Sequence, residues 1–147
     1  MSKPTSIGLL VLRLGVGGYL LTHGVGKLRM TLAGSFDAFG DPIGLGSVPS
    51  LILVTMAEFA CAILVMLGLW TRFAAVPVVV AMAVAAFVAH AGDPWSMEKA
   101  AMAFFSGESE TWFSKEPALL YLIPFLALIF TGPGEISVDG LIRRRRG

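Results

Sequence analysis

Four long apolar stretches, at residues 7–25, 49–69, 73–89 and 117–130, are separated by turn-forming segments and restrict this chain to very few folds. A helix needs about 20 mostly apolar residues to cross the roughly 30 Å hydrocarbon core of a bilayer. The fourth stretch, "PALLYLIPFLALIF", is the shortest and contains Pro124, where a kink is expected if neighbouring helices satisfy the freed carbonyl. The segments "GSFDAFGDPIGLGSVPS", "GLWTR", "AGDPWS" and "TGPGE" supply the breaks. The second break is short enough to force an antiparallel hairpin. The predicted fold is therefore all-α: a polytopic membrane protein, a four-transmembrane-helix antiparallel bundle forming a single domain over 1–147, with a basic tail at 135–147.

Composition agrees with this reading. Hydrophobic residues make up 56% of the chain and charged residues only 14%, and the mean hydropathy is +0.79. The net charge of +1 gives no general attraction to nucleic acid, and the one dense basic run, at residues 143–146, sits at the C-terminus. It is expected to anchor topology and attract anionic lipid. The single cysteine, Cys61, excludes an intrachain disulfide or dithiol pair and reads as a small hydrophobe. Arg13 interrupts the first apolar run and no small-residue cleavage site follows it, so that run is expected to be a retained helix and not a secretory signal.

Lys3, Arg72 and the terminal arginines fall on one side of the expected membrane; Lys27, Arg29, Lys99 and Lys115 fall on the other. The balance predicts both termini in the cytoplasm, with the two longer loops outside. The connection at 92–116 mixes Glu98, Lys99, Glu108, Glu110 and Lys115 with Trp95, Phe104, Phe105, Trp112 and Phe113, as suits an interfacial segment.

Ionisable groups inside a membrane are costly, so they usually face the bundle interior and find partners. Counting helical rise from the expected membrane edges puts Arg13 and Glu58 within about one turn of each other, and an Arg13–Glu58 pair between the first and second helices is expected. Such a pair could fix helix register or handle protons or ligand. His23 and Lys27 stand at i and i+4 near the outer end of the first helix. Arg13, Gly17, Leu20, Gly24 and Lys27 form one stripe, with His23 at its edge. His90 and Asp93 close the third helix at a similar depth, and Tyr121 and Glu116 stand at the outer half of the fourth. Two histidines, a lysine and a carboxylate at one level could hold a proton, an anionic headgroup or a quinone oxygen. No ligand spacing points to a metal. Met56, Met66, Met82, Met97 and Met102 read as packing.

With these pieces in view, the chain resembles the DoxX family of small bacterial membrane proteins. The resemblance rests on "LRLGVGGYLLTHGVGKL", on "MAEFACAILVMLGLWTRFAA" and on "PALLYLIPFLALIFTGPGEISVDGLI", in that order. The His-Gly-x-x-Lys element falls on His23, Gly24 and Lys27, the second-helix acid on Glu58, and the terminal motif on Gly132, Pro133, Gly134, Ser137 and Asp139. The resemblance implies a four-helix integral protein of the bacterial inner membrane, with relatives linked to thiosulfate:quinone oxidoreduction and to complexes handling thiol and oxidative stress. A fold does not carry a reaction with it. With neither haem, nucleotide nor dithiol motif, any redox role must use a lipid-soluble cofactor or a membrane or exported partner.

Two functions follow as expectations. In the first, the chain is an oxidoreductase subunit whose outer cavity binds a quinone or small acid: Glu58 and His23 exchange protons, while Lys27, Arg13, His90 and Tyr121 hold the ligand. In the second, it is a non-enzymatic scaffold or lipid- or solute-handling protein acting through homo-oligomer or partner contacts, with small-residue faces packing against other helices.

Overall fold

Pro4, whose fixed φ and missing N–H suit a first turn, helps to open helix α1, Lys3–Leu32. In this computed structural model, which describes residues 2–146, all regular elements are helical. Met1, Gly147 and the side chain of Arg146 lie outside that description. Helix α2, Ser47–Leu67, and helix α3, Thr71–Ala89, form the expected hairpin. A short helix, α4, Met97–Phe105, lies in the long connection. Helix α5, Glu116–Thr131, runs on through Pro124, and α6, Val138–Arg146, follows the glycine-rich turn.

Three helices, α1, α2 and α3, are long and apolar enough to cross a membrane, and α5 is a shorter apolar helix. Large apolar side chains stand outward along all of them, among them Val11, Tyr19, Met56, Phe73, Phe87, Ile123 and Phe130. A water-soluble chain of this size would not leave so many uncovered. The protein is built to sit in a lipid bilayer.

The helices pack in a ring: α1 along α2, α2 on α3, α3 extensively on α5, and α5 more lightly on α1. Leu20, Val65, Ala75, Val78, Ala86, Phe125 and Leu128 fill the centre. The buried face of α1 carries Ser6, Arg13, Gly17, Leu20 and Gly24, close to the polar, glycine-lined stripe read from the wheel. Two glycines set the register. A Cβ on Gly24 would run into the backbone of Glu58 and Phe59, and one on Gly17 would meet the Met66 side chain. This locks α1 and α2 antiparallel, Gly24 level with Glu58 and Gly17 level with Met66.

That register overturns the expected Arg13–Glu58 pair. Eleven residues of helix, about 16 Å of rise, separate Arg13 from the level of Glu58. Arg13 instead turns to the end of the bundle where α2 finishes. Its Nη1 donates to the Val65 and Met66 carbonyls at 3.2 and 3.1 Å, and its Nη2 donates to the Ile136 carbonyl at 2.6 Å. The first two lie in the last turn of α2, where backbone donors run out, although the Val65 carbonyl also accepts from the Gly68 amide at 3.0 Å, and a cation there suits the helix dipole. Gly68, at φ +70°, ends α2 in the left-handed conformation. A side chain there would collide with the Arg13 guanidinium and Ser137. Arg13 is thus a buried clamp joining α1, α2 and the turn before α6.

Candidate functional site

Glu58 lies in a stretch of α2, Met56–Cys61, wound as a π-helix. Ala85–Ala89, at the end of α3 next to His90, is wound in the same way. Such widened turns inside an α-helix shift side chains out of the regular stripe and recur at functional sites. Here they flank the polar centre of the molecule.

Lys27 reaches this centre from α1. Its Nζ donates to Glu58 Oε2 at 2.6 Å, with the Glu58 side chain 5% exposed and that of Lys27 22%. The cation that answers Glu58 is therefore Lys27, one turn along from Gly24, and not Arg13. One turn further out, the Thr31 and Thr55 hydroxyls are 3.2 Å apart, and Thr55 donates to the Leu51 carbonyl at 2.7 Å. On α3, His90 Nδ1 lies 2.6 Å from Asp93 Oδ2. That contact fixes the ring, leaving Nε2 as its other polar edge. His23 packs edge-on to Tyr121 with ring centroids 5.9 Å apart.

Two cavities meet at Glu58 and His90. The larger, about 550 Å³, runs between α2 and α3. Leu53, Val54 and Ala57 form one wall, Val76, Val80, Val84 and Ala89 the other, with Lys27, Glu58 and His90 at its polar end. Phe39, Pro42 and Ile43, from the connection between α1 and α2, also line it. Asp41 holds that connection in place: its carboxylate accepts from the Leu45 and Gly46 amides at 3.0 and 2.7 Å and from the Ser50 hydroxyl at 2.9 Å. These donors, the Gly46 amide foremost, hold the Asp41 carboxyl below its ordinary pKa.

The smaller cavity, about 180 Å³, lies on the other side of Glu58. It is lined by His23, Glu58, His90 and Tyr121 together with Leu20, Met82, Met97 and Phe113. The connection between α3 and α5 folds over it. Lys115 Nζ donates to the Ala91 carbonyl at 2.8 Å and stands 5.0 Å from the Trp95 ring centroid. Glu116 Oε2 accepts from the Met97 amide at 2.7 Å, fixing the start of α4. His23 and Tyr121 also border an apolar groove between α1 and α5, so this polar centre approaches the bilayer from two sides.

The structure brings together five of the six residues singled out by sequence. Arg13, the sixth, lies at the opposite end. Cys61 packs against the apolar core. Met82 and Met97, read from sequence as plain packing, line the smaller cavity, and Phe113 and Ser114 join them from a connection with no sequence motif. Thr31 could have been found: it stands four residues after Lys27, on the continuation of the same stripe. Among the described residues, no group of three or more His, Cys, Asp or Glu side chains is placed to hold a metal.

The DoxX family matches residues 8–91, a segment that holds α1 from its second turn, all of α2 and α3, and His23, Lys27, Glu58 and His90 of the polar centre, with Asp93 and Tyr121 beyond it. The chain belongs to the DoxX family. A Haemophilus influenzae protein described as uncharacterized is similar to this DoxX chain, 31% identical over 134 residues, covering 89% of this chain and 87% of that protein. No solved structure matches. The Lys27–Glu58 pair thus lies in the family-matching part of this DoxX protein, whereas the clamp on Arg13 draws its third carbonyl, from Ile136, from beyond it.

Proposed function

We propose that this DoxX protein crosses the bacterial inner membrane four times, with both termini in the cytoplasm, and binds a membrane-soluble quinone for an oxidoreductase partner. The observation that carries this reading is the shape and polarity of the larger cavity, an apolar slot headed by Lys27, Glu58 and His90. Its α3 wall extends from Val76 to Ala89, about 20 Å of helical rise. A small acid needs no such wall. A quinone, with an oxygen-bearing ring and a long apolar tail, uses both ends of it.

In this reading Lys27 Nζ and His90 donate hydrogen bonds to the ring oxygens, and Glu58 takes up or releases the accompanying proton. His23 and Tyr121, across the smaller cavity, connect Glu58 with the outer surface. Electrons come from a partner protein, because one cysteine cannot cycle as a dithiol. Arg13 positions helices and does not touch ligand. Helix α5, 16 residues long, spans about 24 Å, which a locally thinned bilayer accommodates.

Binding of a short-chain benzoquinone to the full chain in lipid nanodiscs tests this. The affinity should fall about tenfold or more in Glu58→Gln and Lys27→Ala; unchanged affinity in folded variants argues against a quinone site. A second reading, assembly with itself or another helix, has one observation behind it. Gly8, Gly15, Gly18 and Gly26 of α1 have open space where their side chains would be, so this helix face could pack closely on another. A stable oligomer in detergent that binds no quinone favours it.

A further inference from the structure

The end of the bundle opposite the Lys27–Glu58 pair holds a third cavity, of about 700 Å³, that the proposed quinone site does not use. Trp70, Arg72 and Phe73 from the start of α3 line it, facing Gly132 and Glu135 after α5, and Asp139 and Arg143 of α6. Its charges are not equivalent. Asp139 is occupied within the fold: its Oδ1 accepts from the Trp70 amide at 3.1 Å, and its own amide donates to the Gly68 carbonyl at 3.0 Å. Glu135 Oε2 faces Arg144 Nη2 at 3.4 Å. Arg72 gives one bond, Nη2 to the Phe130 carbonyl at 3.0 Å, out of the five N–H groups of a guanidinium. Arg143 is exposed at the same rim. Both arginines are left to face an anion.

Local backbone supports this arrangement. Gly132, at φ +71°, lies against the Arg72 side chain, and a Cβ there would press on its Nε. Trp70 is the one non-glycine residue among those described that is held at positive φ, 49°. A tryptophan in that region stores strain and persists only where the surroundings fix it; here Asp139 does so. Trp70 is left 68% exposed, Phe73 79% and Phe130, whose carbonyl holds Arg72, 74%. Aromatic rings at this level mark the boundary between headgroups and acyl chains.

We infer that this cavity binds the phosphodiester of an anionic phospholipid, with Arg72 and Arg143 on the phosphate and the acyl chains lying along Phe73 and Phe130. Guanidinium–phosphate hydrogen bonds hold the headgroup, the two arginines repel the quaternary ammonium of a zwitterionic lipid and so favour an anionic one, and the aromatic rim distinguishes a lipid from free phosphate. The lipid joins the α2–α3 hairpin to the turn after α5 and stabilises that end of the bundle.

The test uses the delipidated full chain in neutral detergent, titrated with phosphatidylglycerol, phosphatidylcholine or inorganic phosphate and followed by native mass spectrometry. Phosphatidylglycerol should be retained at least about tenfold better than phosphatidylcholine, the scale of one like-charge contact between an arginine and the choline ammonium near the protein surface. Arg143→Gln and Arg72→Gln should each remove most of that preference, and Arg145→Gln should leave it within about twofold. Arg72 also supports the end of α5, so Arg143→Gln decides if Arg72→Gln unfolds. Equal retention of the two lipids, or an equal loss in Arg145→Gln, overturns the site. Inorganic phosphate competing fully at the same concentration overturns its assignment to a lipid.

Discussion

Replacing Gly24 by alanine tests how α1 and α2 are held together. The new Cβ would lie 2.7 Å from the Phe59 amide nitrogen and closer still to the Glu58 carbonyl group, well inside the 3.4 Å of ordinary contact. All of these are backbone atoms in the π-helical segment, so no side chain can swing away and α1 must move. Overpacking of this kind costs about 1–3 kcal/mol, and a backbone obstacle belongs near the top of that range. Alanine recovers up to about 1 kcal/mol of helix propensity, leaving a net loss of about 2 kcal/mol, or about thirtyfold in the folding equilibrium. Gly17→Ala should cost less, because it meets the flexible Met66 side chain. Gly15→Ala and Gly18→Ala meet nothing within 4 Å and should be neutral or stabilising by up to about 1 kcal/mol. Equilibrium unfolding in mixed micelles, followed by far-ultraviolet circular dichroism, ranks the four. If Gly24→Ala is tolerated as well as Gly15→Ala, the close approach that sets the register is wrong.

Other outcomes follow from the same geometry. Arg13→Met removes three hydrogen bonds to backbone carbonyls, of which Val65 keeps the Gly68 amide as a donor, and should cost about 2–3 kcal/mol, while quinone affinity of the folded fraction stays unchanged; a loss of affinity without loss of stability would place Arg13 in the ligand site. Lys27→Ala leaves Glu58 buried without its cation and should destabilise by about 2 kcal/mol, a figure discounted for the partial exposure of Lys27. The Lys27→Met/Glu58→Gln double variant should recover most of this, and additive losses in a double-mutant cycle would deny the coupling. Asp41 titrates below its unfolded value, so its contribution is complete above that value and is lost as pH falls through the folded one. Exchange protection of the Leu45 and Gly46 amides should therefore collapse only below about pH 4. Asp41→Asn should lack that acid step; an acid step that persists in Asp41→Asn assigns it to another group.

The all-helical, bilayer-resident fold was legible because apolar runs of spanning length admit few alternatives. The stripe on α1 was legible because helical periodicity needs no knowledge of the partner. The partner itself was not. Depths counted from assumed membrane edges placed Arg13 beside Glu58, but the offset between α1 and α2 is set by where Gly24 and Gly17 allow backbones to meet, and Gly24 reads equally well as a helix end. In fact α1 continues to Leu32, carrying Lys27 into range of Glu58. Helical winding also hid the two π segments, since nothing in "MAEFAC" or "AAFVA" demands an extra residue per turn. Helices α4 and α6 were missed for a simpler reason: both are short, and their charged residues read as loop and tail.

The proposed function requires a lipid-soluble ligand in the slot between α2 and α3 with its polar end at Lys27 and Glu58. A quinone carrying a photoreactive group at the end of its tail, irradiated with the full chain in nanodiscs and mapped by peptide mass spectrometry, measures this directly. Label should fall on Val76 and Val80, which line the slot nearest the α2–α3 turn, and excess unlabelled quinone should abolish it. Label spread over the outward-facing apolar surface, or concentrated between α1 and α5, would contradict the account.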